Sequence, residues 1–306
     1  MIADAPALSI VISTYNRGEL LEDAIRSALA QVDAPPYEIV VVDNNSTDGT
    51  RALVERLARE SGGAVRYLFE GRQGIAFGRN TGVAAARAPL IAFTDDDVRA
   101  APDWLASITR AFAAHPWADF VGGRVWPRWP GPVPDWLTPT LWAPLALADY
   151  GDAPIRVDLT RPIVLVTANC AFRRQTLDRV GGFDPQFQHR PGAVSACEDH
   201  ELQLRVLRGG GAGLYDPSIV ITAEVQPHRV TRRYYRRWHL DHGRAVARLL
   251  RRGEIFDPRM VPTPPPPGKP LLFGAPPHAY RAVIESGARS VLARVRGRAR
   301  EAFARV

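Results

Sequence analysis

Strand and helix signals alternate along the first 125 residues, and this alternation limits the possible folds more than any other feature of the chain. Apolar, β-branched runs that indicate strands lie at 9–14, 38–42, 65–69 and 90–94. Apolar residues at helical spacing lie at 20–29, 50–60, 75–86 and 104–112. Strands that are apolar almost throughout are typical of a parallel sheet covered on both faces. The pattern therefore predicts an α/β fold with a Rossmann-like, mostly parallel central sheet and helices on both faces.

The rest of the chain has weaker periodicity. Between 126 and 144, tryptophans alternate with prolines, which predicts a loop-rich aromatic insert. Further signals indicate a strand at 163–172, a helix at 198–208, a strand at 214–222, a helix at 231–252, a proline-rich linker at 262–270 and a basic helix at 280–306. We therefore expect two halves of one domain, 1–125 and 126–252, followed by a linker and C-terminal helical extension at 253–306.

Composition excludes several classes of protein. Of the 306 residues, 46% are hydrophobic and 23% are charged, which is typical of globular rather than disordered chains. No apolar run reaches the ~18 residues of a membrane-spanning helix, and the N-terminus has no secretory signal pattern. Two cysteines, Cys170 and Cys197, are too few for a disulfide scaffold. We therefore expect a cytoplasmic protein.

The net charge of +7 is unevenly distributed. Residues 226–306 hold 18 basic and 5 acidic residues, whereas residues 1–225 hold 21 basic and 27 acidic ones. A helix at 279–306 would carry both arginines and apolar side chains, which suits binding to an anionic membrane surface. The alternative is that this helix packs against the rest of the domain. Because no nucleic-acid-binding fold is indicated, we predict no nucleic-acid partner, and we allow peripheral contact with the inner face of the membrane.

Polar residues follow three of the predicted strands at the point where each strand ends. They are Thr14-Tyr15-Asn16-Arg17, Asp43-Asn44-Asn45-Ser46 and Asp95-Asp96-Asp97. Open α/β sheets bind ligands at this edge, although Asp and Asn are also common in turns and helix caps. Three adjacent carboxylates are costly to bury without a cation. Mg²⁺ or Mn²⁺ would compensate the charge and would also hold a diphosphate.

Five motifs in register resemble those of family 2 glycosyltransferases of the GT-A fold. They are S-I-V-I-S-T-Y-N-R, I-V-V-V-D-N-N-S-T-D-G-T, G-R-N-T-G-V-A-A-A, I-A-F-T-D-D-D and C-E-D-H-E-L, within residues 8–245. The resemblance implies a metal-dependent, inverting transfer of a sugar from a nucleoside diphosphate donor, a UDP- or dTDP-sugar, to an acceptor hydroxyl. It also implies that 1–125 binds the nucleotide sugar, and that 126–252 binds the acceptor and carries the catalytic base.

The resemblance places the nucleotide at the strand ends. Thr14, Tyr15 and Arg17 match the segment that lines the base pocket, where Tyr15 would stack on the base; a core position at the strand end is the alternative for Tyr15. Asp43 matches the residue that accepts a hydrogen bond from a pyrimidine N–H. Arg79 matches the arginine of the family's A-R-N-x-G segment, and pairing with a surface acid is its alternative.

The acidic triplet matches the D-x-D signature. The match assigns Asp97 to the metal, Asp95 to the ribose or the metal shell, and Asp96 to the donor site as well. His228 matches a histidine that reaches the metal or the diphosphate, although a lone histidine is also common in a structural role. The metal would neutralise the diphosphate leaving group as a Lewis acid.

Glu198 and Asp199 match the pair that supplies the general base, which takes the proton of the acceptor hydroxyl. We expect Asp199 to be the base and Glu198 to be the alternative. Acidic residues in a first helical turn are also favoured by the helix dipole, which would explain them without chemistry.

The acceptor side is less defined. Asn169 and the turn at 182–184 match segments that would shape it, and the 126–144 insert is either an acceptor platform or a hydrophobic lid or subunit contact. The acceptor would be a glycan, a lipid carrier or a small molecule. A nucleotidyltransferase on a related α/β fold is the alternative function; T-Y-N-R-G-E after the first strand disfavours it, because such enzymes have a glycine-rich loop there.

Overall fold

The computed structural model describes residues 5–161, 163–189 and 192–251. Its strands are β1 (Leu8–Thr14), β2 (Tyr37–Asp43), β3 (Val65–Phe69), β4 (Leu90–Asp95), β5 (Val98–Ala100), β6 (Phe120–Arg128), β7 (Ile155–Val157), β8 (Cys170–Arg173) and β9 (Gly213–Glu224). Its α-helices are α1 (Gly18–Leu29), α2 (Thr50–Glu60), α3 (Ile75–Ala85), α4 (Trp104–Ala114), α5 (Arg174–Val180), α6 (Glu198–Arg208) and α7 (Arg232–Arg251). All nine strands belong to one sheet, in the order β3-β2-β1-β4-β8-β6-β9-β5, with β7 paired to β9.

The N-terminal half of the sheet is parallel, as the sequence predicts. β1 runs parallel to β2 and β4, and β2 runs parallel to β3. The register places Thr14 beside Asp43 and Ser13 beside Asp95. The polar segments that follow β1, β2 and β4 therefore meet at one edge of the sheet.

The other strands make the sheet mixed. β8 is antiparallel to both β4 and β6, β6 is parallel to β9, and β5 and β7 are antiparallel to β9. The sequence pattern does not predict β5, β6, β7 or α5. The strands β5 and β7 have only three residues each, and β6 contains two glycines and a proline, which weaken a strand signal. The strand β6 also crosses the expected boundary between 1–125 and 126–252.

Alternate residues of the central strands point to opposite faces and build two cores. Ile10 and Ile12 are buried on the face covered by α1, α2 and α4. Val11 is buried on the other face, with apolar residues of α3, α5 and α6. The expected arrangement of helices on both faces is thereby confirmed.

Helix α3 lies very close to β1 because two of its residues are glycines. A Cβ atom added to Gly78 would come 2.2 Å from Ser13 Oγ, and one added to Gly82 would come 2.3 Å from Val11 Cγ1. Neither position has room for a side chain. This close approach sets the position of the Arg79 side chain, which follows Gly78 in the sequence.

The prediction of a strand at 163–172 is wrong over most of its length, because only β8 (Cys170–Arg173) forms there. Residues 167–169 form a 3₁₀ turn instead. The Gln203 side chain takes the place of a neighbouring strand: its Nε2 donates to the Leu165 carbonyl at 2.7 Å, and its Oε1 accepts from the Leu165 N–H at 3.0 Å. The backbone there is satisfied by a side-chain amide, which an apolar sequence pattern does not reveal.

The tryptophan- and proline-rich insert is anchored by α7. The rings of Trp136 and Tyr235 meet edge to face at 4.9 Å, and Tyr235 Oη donates to the Leu141 carbonyl at 2.9 Å. Further along α7, Val246 and Leu249 are buried with Leu204 of α6. The helix α7 therefore joins the insert to α6.

Within the described residues, no helix is both long enough and apolar enough to span a membrane. The predicted linker at 262–270 and basic helix at 280–306, with the membrane contact expected of 279–306, lie outside the described residues.

Candidate active site

The acidic triplet lies at the carboxyl edge of the sheet, in contact with the segment that ends β1. Thr14 Oγ1 donates a hydrogen bond to Asp96 Oδ2 at 2.7 Å. Arg17 Nη1 donates to Asp96 Oδ1 at 3.0 Å and to Asp97 Oδ2 at 2.9 Å. Asp96 is buried, whereas the side chain of Asp95 is 31% exposed. Thr14, Arg17 and the triplet therefore form one cluster, in which Arg17 contacts the acids.

Burial and mutual repulsion determine the electrostatics of this cluster. Burial, followed by the charges of Asp95 and Asp96, raises the pKa of Asp97 to about 6. Burial also raises the pKa of Asp96, although Arg17 opposes this shift. Burial works against the charge of Arg17, but Asp96 and Asp97 outweigh it and raise the pKa of Arg17. Arg17 contacts only two of the three carboxyl groups, Asp96 and Asp97, and carboxylate oxygen atoms are the ligands that hard divalent cations prefer.

Tyr15 and Asp43, the residues predicted to bind the nucleobase, lie at the same edge of the sheet. Tyr15 is 47% exposed, so the interpretation of this ring as a core residue is wrong. Asp43 is buried and accepts hydrogen bonds from the Ser46 N–H at 2.8 Å and from Tyr67 Oη at 2.9 Å. A carboxylate has about four acceptor positions, so these two contacts leave capacity for a ligand N–H.

Arg79 joins the acidic edge to helix α6. Its Nη2 donates to Asp95 Oδ1 at 3.1 Å, and its Nη1 donates to Glu198 Oε1 at 2.9 Å. The residue is only 5% exposed. The alternative that Arg79 pairs with a surface acid is therefore wrong, because its two partners are candidate site residues.

Glu198 and Asp199 are neighbours in the sequence with different surroundings. Glu198 is buried against Arg79, and its Oε2 has no hydrogen-bond partner among the described residues. Burial, followed by the charge of Asp199, raises the pKa of Glu198 to about 7, although Arg79 opposes this shift. The side chain of Asp199 is 25% exposed, and its Oδ1 accepts from the His200 N–H at 2.8 Å. Asp199 is therefore the more accessible carboxylate, and Glu198 is held by Arg79.

His228 lies on a 3₁₀ turn, Pro227–Arg229, that follows β9. It is exposed, and its ring lies 6.1 Å from the ring of Tyr234. The positive charge of Arg17 and then that of the next residue, Arg229, lower the pKa of Asp97 against the effect of its burial. The family motifs in the sequence single out His228 but not Arg229, which can be recognised only as a basic residue next to His228 after a predicted strand.

Two asparagines make side-chain hydrogen bonds that hold separate segments of the chain together. Asn80 accepts from the Phe183 N–H and donates to the Phe183 carbonyl, both at 2.8 Å, which fixes the 182–184 turn to α3. Asn169 is buried; it donates to the carbonyls of Arg124 and Ile219 and accepts from Trp104 Nε1. Its amide is committed to the sheet interior, so the expectation that Asn169 shapes an acceptor surface is wrong.

The mixed sheet with its acidic edge defines the GT-A class of fold. A mannosyltransferase from Pyrobaculum calidifontis, solved in complex with GDP-Man and Mn²⁺, has a similar fold at a TM-score of 0.60 and 21% identity, over 95% of this chain and 76% of that one. TarS from S. aureus, solved in complex with UDP-GlcNAc, is similar at a TM-score of 0.57 and 18% identity, over 80% and 72% of the two chains.

The chain belongs to glycosyl transferase family 2, whose model matches residues 9–181. Validoxylamine A glucosyltransferase of Streptomyces hygroscopicus subsp. limoneus is 34% identical over 223 residues, which cover 66% of this chain and 48% of that one. Glucosyl-dolichyl phosphate glucuronosyltransferase of Haloferax volcanii is 26% identical over 179 residues, 58% of this chain and 56% of that one. The chain thus spans about half the length of these relatives.

The Arg79 bridge predicts a measurable energetic coupling. Arg79→Met leaves Asp95 and Glu198 facing each other without their buried counter-charge, so we expect the free energy of unfolding to fall by about 3–5 kcal/mol. Adding Glu198→Gln removes one of the uncompensated charges, so the double variant should lose less than the sum of the two single variants. Urea denaturation of the four proteins measures this coupling as a double-mutant cycle.

The matched control is the surface pair Arg51 and Glu55, where Arg51 Nε lies 2.7 Å from Glu55 Oε1 and the side chains are 71% and 41% exposed. The cycle built from Arg51→Met and Glu55→Gln should give a coupling below about 1 kcal/mol. Additive effects of the Arg79 and Glu198 substitutions would contradict the bridge.

Proposed function

We propose that this chain transfers a sugar from a nucleoside diphosphate donor to an acceptor hydroxyl, with inversion at the anomeric carbon and with Mg²⁺ or Mn²⁺. The observation that carries the proposal is the Arg79 bridge, since one buried guanidinium contacts Asp95 at 3.1 Å and Glu198 at 2.9 Å. Glycosyl transfer needs a donor-binding group and a base on opposite sides of one carbon atom. Because the single side chain of Arg79 contacts both Asp95 and Glu198, the acidic triplet and the start of α6 are close enough to act on one carbon atom, which supports the proposal.

The donor is a UDP- or dTDP-sugar in this proposal. Tyr15 is exposed at the edge and can stack on a base, a contact worth ~1–3 kcal/mol. Asp43 can accept the ring N–H that uracil and thymine share, because a carboxylate is an acceptor only. Thr14 and Arg17 hold the acidic triplet at 2.7–3.0 Å beside this position, which supports a diphosphate bound next to the base.

The carboxyl groups at the edge fit a divalent metal. Asp97 and Asp95 offer the hard oxygen ligands that Mg²⁺ and Mn²⁺ prefer, and His228 and Arg229 follow β9 on the side of Asp97. The metal, when bound, would supply Lewis-acid stabilisation of the diphosphate leaving group. Arg17, which contacts Asp96 and Asp97, would then be available to bind phosphate oxygens.

Asp199 is the proposed base. It lies in the first turn of α6, at the positive end of the helix dipole. Its partial exposure allows it to reach an acceptor hydroxyl, take the proton and leave the oxygen to attack the anomeric carbon from the face opposite the diphosphate. Glu198 would hold Arg79 in place, since its Oε1 accepts from Arg79 Nη1.

The acceptor class stays broad in this proposal: a glycan, a lipid carrier or a small molecule. The names of the relatives span both small-molecule and lipid-linked substrates, validoxylamine A and glucosyl-dolichyl phosphate. The exposed Trp126 of the insert is a candidate sugar-stacking face for any of them. A contact of 279–306 with an anionic membrane would favour a lipid-linked acceptor.

Asp199→Asn should abolish transfer while leaving donor binding unchanged. An amide cannot accept the hydroxyl proton as a base, so we expect kcat to fall by about 10²–10⁴-fold. Calorimetric titration with the donor in the presence of Mn²⁺ should give the same affinity as the unchanged protein. Asp178→Asn, on an exposed position of α5, is the control. Full activity of Asp199→Asn, or a larger loss in Glu198→Gln, would move the base role to another residue.

Removal of divalent metal should abolish turnover, and Mn²⁺ or Mg²⁺ should restore it. We expect Asp97→Asn to lose at least about 100-fold in rate, because the leaving group loses its charge stabilisation. The released product distinguishes the two candidate functions: nucleoside diphosphate indicates sugar transfer, whereas pyrophosphate indicates nucleotidyl transfer. Turnover that resists chelation in the unchanged protein would contradict the proposed metal role.

A further inference from the structure

A second group of side chains that could hold a metal ion lies at the start of α6, next to Asp199 in the sequence. Cys197 directly precedes α6, His200 lies on its first turn, and His242 lies on α7. One candidate ligand atom from each residue lies within 4.8 Å of the other two. Cys197 Sγ and His242 Nδ1 are 3.7 Å apart. The start of α6 and helix α7 thus bring a thiol and two imidazoles close together.

The separation of Cys197 Sγ from His242 Nδ1 is close to that of two ligand atoms in a bound zinc site. Zinc binds sulfur at ~2.3 Å and imidazole nitrogen at ~2.0 Å in a tetrahedron, which holds the two ligand atoms about 3.6 Å apart. The buried Nδ1 of His200 makes no hydrogen bond with the described residues. Burial, most strongly, keeps the pKa of both histidines low, so both rings are in the neutral form that binds metals.

We propose that Cys197, His200 and His242 bind a Zn²⁺ ion that fastens α7 to the N-terminal turn of α6. Sulfur and nitrogen ligands select zinc, whereas the carboxylates of the donor edge select Mg²⁺ or Mn²⁺. The two sites therefore bind different metals. Three protein ligands leave one coordination position for water or for Ser195, whose Oγ lies 3.3 Å from His242 Nδ1.

A surface cavity of about 370 Å³ has Ser195, the residue beside His242, in its wall. It lies between the segment around Ser195 and α7, with Arg237, Asp241 and Arg244 in its wall. Burial, with help from Asp199 and Glu198, raises the pKa of the Cys197 thiol, so the ion must displace a proton when it binds. The thiolate formed would then be neutralised by the metal.

The position of the ion connects it to the base. Asp199 lies between two of the ligands in the sequence, Cys197 and His200, so an ion bound by both would hold the turn that carries it. The ring of His242 also stacks on Trp238 at 4.4 Å, which orients the ligand from α7. The zinc is therefore proposed as a positioning element, and the reaction itself takes place at the carboxylate edge.

The metal content of the full chain tests this proposal without any substrate. The protein is purified with excess Mg²⁺, which occupies the carboxylate site, and zinc is measured by mass spectrometry. We expect about one zinc ion per chain, and its loss in Cys197→Ser and in His242→Gln. Cys170→Ala, at the other buried cysteine, and Asp97→Asn should both keep the zinc. Zinc that is absent, or unchanged in both ligand variants, would overturn the proposal.

Cobalt provides a test that does not depend on whether the variants fold. Co²⁺ added to the zinc-depleted, unsubstituted protein should give a sulfur-to-cobalt charge-transfer band together with the visible bands of a tetrahedral ion. Circular dichroism of the variants shows whether they are folded. Cobalt spectra without the sulfur band would mean that Cys197, His200 and His242 form only a packed polar cluster, and the proposal would be wrong. This failure would leave the proposed sugar transfer untouched, because the latter is measured at the donor edge.

Discussion

A buried arginine between two carboxylates is the constraint on which the rest of the site depends. Arg79 is 5% exposed and contacts Asp95 and Glu198, which come from the sheet edge and from α6. Removing such a partner leaves buried charge without compensation, which is among the costliest changes in a protein interior. The edge that holds the acidic triplet and helix α6 therefore have a fixed separation, which the proposed displacement at a single carbon atom requires.

Helix α7 extends this constraint to the tryptophan- and proline-rich insert. At one end it contacts the tryptophan-rich insert through Tyr235, and further along it packs on α6 and brings His242 beside Cys197. The insert, α7 and the turn that carries Asp199 are thereby linked into one unit. Under the two proposals, Asp95 and Asp97 would hold an oxygen-bound cation that stabilises the leaving group, and Cys197, His200 and His242 would hold a sulfur- and nitrogen-bound cation that positions the turn of Asp199.

The position of the site could be predicted from the sequence because parallel strands bring their carboxyl ends to one edge. Thr14, Asp43 and the acidic triplet could be found in this way, and α2, β3 and α6 have the predicted bounds. The partners of Arg79 could not be predicted. Asp95 and Glu198 lie 16 and 119 residues away from it in the sequence, and the position of Arg79 between them depends on the close contact of α3 with β1. The same limit applies to Asn169 and Gln203, whose amides replace backbone partners inside the fold, and to Arg229, which has no motif of its own.

In the proposed reaction, Asp199 and the diphosphate act on opposite faces of one anomeric carbon. The most direct measurement is the anomeric configuration of the first product formed from a donor of known configuration, followed by proton NMR. A base-assisted single displacement predicts a product of inverted configuration from the first turnover. A product with retained configuration would require a covalent or front-face route, and it would contradict the placement of the base on α6.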